Sequence, residues 1–168
     1  MTPPTHSVLS RDDLLALLDT VKDPEVPVLS IVELGIVRDA AATDDGFVVT
    51  ITPTYSGCPA MREIEQEIRR VFAEHGLSPL QLRTTYTPAW TTDWIPAGAR
   101  AKLEAYGITP PGPADPDGLV ALGRRASVRC PYCRSLNTIL ESAFGSTACK
   151  AIWFCRACNQ PFEEFKAI

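Results

Sequence analysis

The chain has 168 residues, 45% of them hydrophobic and 21% charged, with 15 prolines, 6 cysteines and a formal net charge of −4. That length allows one or two domains, with one modest core and room for a small stapled module, and no apolar run of about 18 residues is present to suggest a transmembrane helix. The charge is divided unevenly, with 9 basic and 17 acidic side chains in residues 1–118 against 7 and 3 in residues 119–168, so the larger, acidic part is a poor candidate for nucleic-acid binding.

The N-terminus, Met1-Thr2-Pro3-Pro4-Thr5-His6, lacks the basic-then-apolar layout of a secretory signal. The expected location is the cytoplasm, where cysteines serve as thiols or metal ligands rather than disulfides. Ser10 is a good helix N-cap, with Asp12 and Asp13 in the first turn. Leu14, Leu17, Leu18 and Val21 follow at helical spacing until Asp23-Pro24 stops the helix. Ile36 to Ala42 and Phe47 to Thr52 read as two strands joined by an Asp44-Asp45-Gly46 turn, with Phe47, Val49 and Ile51 on one face.

A second helix is predicted from Pro59, with Met61, Ile64, Ile68 and Val71 as its apolar stripe and Gly76 just past its end. Leu80, Leu82, Thr84 and Tyr86 alternate as a third strand, and Ala97 to Tyr106 form a short helix ended by Gly107. The run from Thr109 to Gly118 holds four prolines and two glycines and no large apolar side chain, which is linker composition. The expected organisation is an α+β domain over residues 8–108, ordered α-β-β-α-β-α with helices on one face of a short sheet. A linker follows over 109–118, and then a module over 119–168, too short for an apolar core of its own.

That module has a visible staple. Cys130-Pro131-Tyr132-Cys133 and Cys155-Arg156-Ala157-Cys158 are two CxxC turns. Each can present two thiolates to one ion, and two such turns complete a closed tetrahedral site. Zinc is the usual occupant, while the spacing also admits a single iron or a cluster. A closed four-thiolate site has no open coordination position, so its expected role is folding. Cys149, in Phe144-Gly145-Ser146-Thr147-Ala148-Cys149-Lys150, reads either as a packed thiol or as a reactive one activated by Lys150.

Cys58 stands apart, before Pro59 at the start of the second helix. As an N-cap it would have its thiolate favoured by the helix dipole, as a nucleophile or ligand requires; as a small apolar group it would only fill a strand–helix junction. Other chemistries are missing. The two histidines, His6 and His75, are not placed for a hydrolytic triad, no pair of Glu-x-x-His motifs encodes a di-iron site, and neither dinucleotide nor P-loop glycine patterns occur. Asp23, Glu25 and Glu33 are first read as loop-capping acids.

Asp23-Pro24-Glu25-Val26-Pro27, then Ser30-Ile31-Val32-Glu33-Leu34-Gly35-Ile36-Val37, resembles the signature of the MIP18-like family of iron–sulfur assembly domains. Thr54 with Cys58-Pro59 resembles that family's second signature. The resemblance implies a compact α/β fold and a role in cluster assembly or metalloenzyme maturation. It places the family's cysteine at Cys58, and Asp23, Glu25 and Thr54 at motif positions. Pro88 to Ile95, the CPYC ribbon, Phe144 to Ala151 and Pro161 to Lys166 resemble the family of D subunits, also called PaaJ-type, of the phenylacetyl-CoA oxygenase system.

That resemblance implies a non-catalytic accessory subunit of a multicomponent enzyme that epoxidises the ring of phenylacetyl-CoA. Its partners would be the di-iron oxygenase, the reductase component or both, with structural zinc in the ribbon and transient iron or an iron–sulfur cluster at Cys58. A homodimer is left open. The competing expectations are a docking subunit indifferent to Cys58, a nucleic-acid-binding ribbon opposed by the acidic first part, and a thiol enzyme lacking a placed base.

Overall fold

The computed structural model describes residues 9–113 and 127–168. The chain divides into two compact units, one running to Trp90 and the other covering Thr91–Ile168.

The first unit opens with α1, Arg11–Leu18, closed by a capping box in which the Ser10 side chain accepts from the Asp13 amide and Asp13 reaches back to the Ser10 backbone. Leu14 and Leu18 are buried, and Val21, expected within the helix, is buried in the turn beyond it. The hairpin of β1, Val37–Thr43, and β2, Gly46–Ile51, turns where the sequence predicts. Gly46 is required there: its φ is +130°, and a Cβ would lie 2.3 Å from the Pro79 carbonyl oxygen.

A crossover through α2, Ala60–Glu74, leads to β3, Leu80–Thr84, which pairs parallel to β2 and gives the sheet order β1-β2-β3. Phe47, Val49 and Ile51 are buried along β2, and Phe47 meets Phe72 of α2 edge-to-face at 6.0 Å. Tyr86 lies beyond β3 and is exposed. Trp90 closes the unit, its indole N–H donating to the Leu34 carbonyl at 2.8 Å.

The second unit begins upstream of the expected boundary. A 3-10 turn over Thr92–Trp94 leads to α3, Ala97–Tyr106, which Gly107 ends in the left-handed conformation at φ +93°. The extent of α3 is as predicted, but it lies with the ribbon rather than as the last element of a domain ending at 108. The reason is local. Arg100 donates to the carbonyls of Ile95 at 3.0 Å and Thr92 at 2.7 Å, and reaches Pro111. Thr92 in turn binds the Ile168 carbonyl through its own N–H at 3.1 Å.

The expected linker also starts inside structure, because β4, Ile108–Thr109, pairs parallel to β7, Gln160–Phe165. The rest of that linker, 114–118, and the start of the expected ribbon module, 119–126, lie outside the described residues. With β5, Thr138–Ser142, and β6, Lys150–Cys155, the sheet order is β4-β7-β6-β5. Its core is Cys130, Ala151, Trp153, Cys155 and Phe162. Trp153 donates from its indole to the buried Glu164 carboxylate at 2.7 Å. Among the described residues, no helix is long and apolar enough to cross a membrane.

Candidate metal centre

Cys130 and Cys133 lie in the turn ahead of β5, while Cys155 and Cys158 occupy the β6–β7 hairpin. Both turns are built alike. The N–H of the residue after the second cysteine closes onto the carbonyl of the first: Arg134 to Cys130 at 2.9 Å and Asn159 to Cys155 at 2.8 Å. Both closing residues are left-handed, with φ of 63° and 58°. The sequence reading missed this pair. Asparagine after the second CxxC carried a signal, because it tolerates that conformation, whereas arginine carried none.

The four sulfur atoms lie within 4.8 Å of one another. Cys130 and Cys158 are 3.8 Å apart at sulfur, and Cys133 and Cys155 are 3.5 Å apart. A tetrahedral zinc site with bonds of about 2.3 Å has edges of about 3.8 Å, so the donor set fits such an ion in number, chemistry and spacing. Protonated, the same thiols titrate apart. Against the burial that raises it, the Cys158 and Ala157 amides and the neighbouring thiols draw Cys155 down to about 7. Burial and the surrounding thiols push Cys158 up to about 12. Cys155 therefore gives up its proton more readily than Cys158, and a bound cation would favour the thiolate form of its ligands.

Cys149 stands outside the group. It is 3% exposed, with its sulfur 3.1 Å from the Thr147 hydroxyl. Lys150, the expected activator, is buried and pairs with Glu163 at 3.0 Å.

In the first unit the Thr54 side chain hydrogen-bonds the Cys58 thiol, and the Glu25 carboxylate acts on it electrostatically. Helix α2 begins one residue later than expected, with Pro59 as an N-cap making no side-chain bond and Cys58 preceding it. Cys58 thus stands one residue ahead of the N-cap rather than on it. Burial pushes the Cys58 thiol up first, and the Glu25 carboxylate adds to that. The Ala60 amide and the Thr54 and Tyr55 side chains work in the opposite direction without prevailing. Tyr55 was not anticipated in this role.

Asp23 builds the loop that carries Glu25: its carboxylate accepts from the amides of Glu25 and Val26, both at 2.8 Å. Glu33 and Ser30 cap one another at 3.0 Å. His75 lies at the far end of α2, within 2.9 Å of the Val71 carbonyl, and His6 lies outside the described residues.

Comparison with known proteins gives two matches along the chain. Residues 11–74 match the family model for an iron–sulfur cluster assembly protein, and residues 114–166 match that for a PaaD zinc beta ribbon domain. A protein of Escherichia coli, named as a candidate D subunit of 1,2-phenylacetyl-CoA epoxidase, is 44% identical over 93% of this chain and 92% of its own length. An Fe-S protein maturation auxiliary factor of Porphyromonas gingivalis is 33% identical over 56% of this chain and 90% of its own. The crystal structure of a domain of unknown function from Bacillus anthracis superposes with a TM-score of 0.52 at 28% identity, covering 55% of this chain and 90% of that one.

Proposed function

This chain belongs to the family of the D subunit of phenylacetyl-CoA epoxidase, and from that premise we propose that it is a non-catalytic accessory subunit that helps install iron or iron–sulfur centres in its partner subunits. The observation that supports the reading is the half-buried Cys58 at the head of α2 in a unit, residues 11–74, that matches an iron–sulfur cluster assembly family, with Glu25 and Thr54 acting on its thiol. Cys58 would present a sulfur, and Glu25 a carboxylate, to an iron or cluster cargo. The thiol must lose its proton to ligate, so capture releases a proton and strengthens as pH rises toward the raised pKa.

In the second unit Cys130, Cys133, Cys155 and Cys158 would hold zinc as a structural ion, which supplies folding free energy and no reaction step. Cys149 is then a packing thiol. The partners would be the di-iron oxygenase or reductase components, in a reducing cytoplasm where cysteines serve as thiols or metal ligands. A second reading, a docking subunit without metal transfer, draws on the exposed Leu136, Leu140 and Phe144 of the ribbon.

The test is iron per oxygenase subunit after co-expression with the wild-type chain, with Cys58→Ala, or with no such chain. Maturation predicts iron lost in both altered cases. Full iron with Cys58→Ala, together with loss of the assembled complex when the chain is absent, would leave only the docking role.

A further inference from the structure

The two cysteine turns are joined through β5. Thr138 of that strand pairs with Cys155, and the Arg156 N–H donates to the Asn137 carbonyl at 2.9 Å. Cys155 ends β6, whereas Cys130 and Cys133 precede β5 and belong to no strand. Further contacts surround the first pair. The Thr138 hydroxyl donates to the Val128 carbonyl at 2.7 Å, and the Thr109 hydroxyl donates to the Arg129 carbonyl at 2.9 Å. Glu104 pairs with Arg134 at 3.2 Å. A Cβ at Gly107 would lie 2.9 Å from the Tyr132 hydroxyl, so the end of α3 abuts the turn directly. Glu104, Gly107 and Thr109 all precede residue 114, where the ribbon family match begins.

Thr109 adds a link from outside the ribbon match. It lies in β4 opposite Glu164 of β7, the strand that leaves the second pair, and its side chain donates to the residue next to Cys130. This buried threonine therefore joins the chain of the first pair to β7, beside the link that Thr138 makes to Cys155. We propose that Thr109 is a positioning residue for the metal centre, setting the first cysteine pair at the separation from the second that a shared ion requires. This rests on the reading of the four cysteines as zinc ligands. Removing the hydroxyl frees the Arg129 carbonyl and lets the first turn drift, and tetrahedral zinc tolerates little drift.

The experiment follows zinc release from the full chain to a chromogenic chelator, comparing wild type with Thr109→Val and Thr109→Ser. The valine variant releases zinc about 10-fold faster, the lower end of outer-shell effects on metal sites. The serine variant, which keeps the hydroxyl, releases at the wild-type rate. Release from Thr109→Val at the wild-type rate, or from Thr109→Ser as fast as from Thr109→Val, overturns the proposal. Should Thr109→Val fail to fold, Thr109→Ala goes through the same release assay; faster release than wild type supports the proposal, and the wild-type rate overturns it. Wild-type protein that binds no zinc would instead remove the metal reading on which this one stands.

Discussion

The raised pKa of Cys58 separates its chemistry from that of an ordinary activated thiol. Burial and Glu25 keep it protonated at neutral pH, so its alkylation should be slow there and accelerate only as pH climbs past the usual thiol range. Glu25→Gln removes one of the two raising influences, and the pH–rate profile for iodoacetamide should move to lower pH. A profile unmoved by Glu25→Gln would show that the carboxylate does not act on the thiol. The identity of Cys58 as the odd cysteine was legible, but its protonation was not: that depends on a carboxylate from a distant loop and on a helix that starts one residue late. The four ribbon cysteines were legible because their spacing is itself the ligand geometry. Thr109 was not, because a threonine inside a proline-rich stretch reads as linker until its strand pairing is seen.

At the scale of elements, helices were read well where an apolar stripe and a cap agreed. Ser10 marks the start of α1 and Gly107 the end of α3 to the residue, Ile64, Ile68 and Val71 mark α2, and α1 ends at Leu18, short of the expected stop at Asp23-Pro24. Phe72 and Trp90 were not assigned to the core, since one flanks the stripe and the other follows the last strand, yet both are buried. The β1–β2 turn provides a direct test. Gly46→Ala forces a side chain at φ +130° against the Pro79 carbonyl, and the Phe47 N–H bond to that same carbonyl, 2.9 Å long, is disturbed with it. The cost should be about 1–3 kcal/mol in urea unfolding monitored through the first unit. A loss below about 0.5 kcal/mol, the range of an ordinary surface change, would mean that the turn adapts.

For the whole molecule, the division after Trp90 was the least legible feature. Composition draws the eye to the prolines between Thr109 and Gly118, whereas β4 pairing, the Arg100 contacts and the Thr92–Ile168 bonds tie residues from Thr91 onward to the ribbon. A fragment beginning at Thr91 should therefore fold and bind added zinc, and one beginning at residue 114 should do neither. Chelation of the full chain should unfold the second unit alone, because the side chains of Cys130 and Cys155 belong to that unit's core while the first unit has a core of its own. Circular dichroism with heteronuclear NMR of the treated chain checks this, and loss of the first unit's signals on chelation would contradict it.

The two left-handed residues that close the cysteine turns bear on the stability of the second unit. Asparagine adopts that conformation at small cost, but at position 134 an arginine does, against a backbone penalty of about 1–2 kcal/mol. Its exposed bridge to Glu104 returns at most about 1 kcal/mol. On that balance Arg134→Asn should keep the turn closed and leave the second unit no less stable than wild type in urea unfolding.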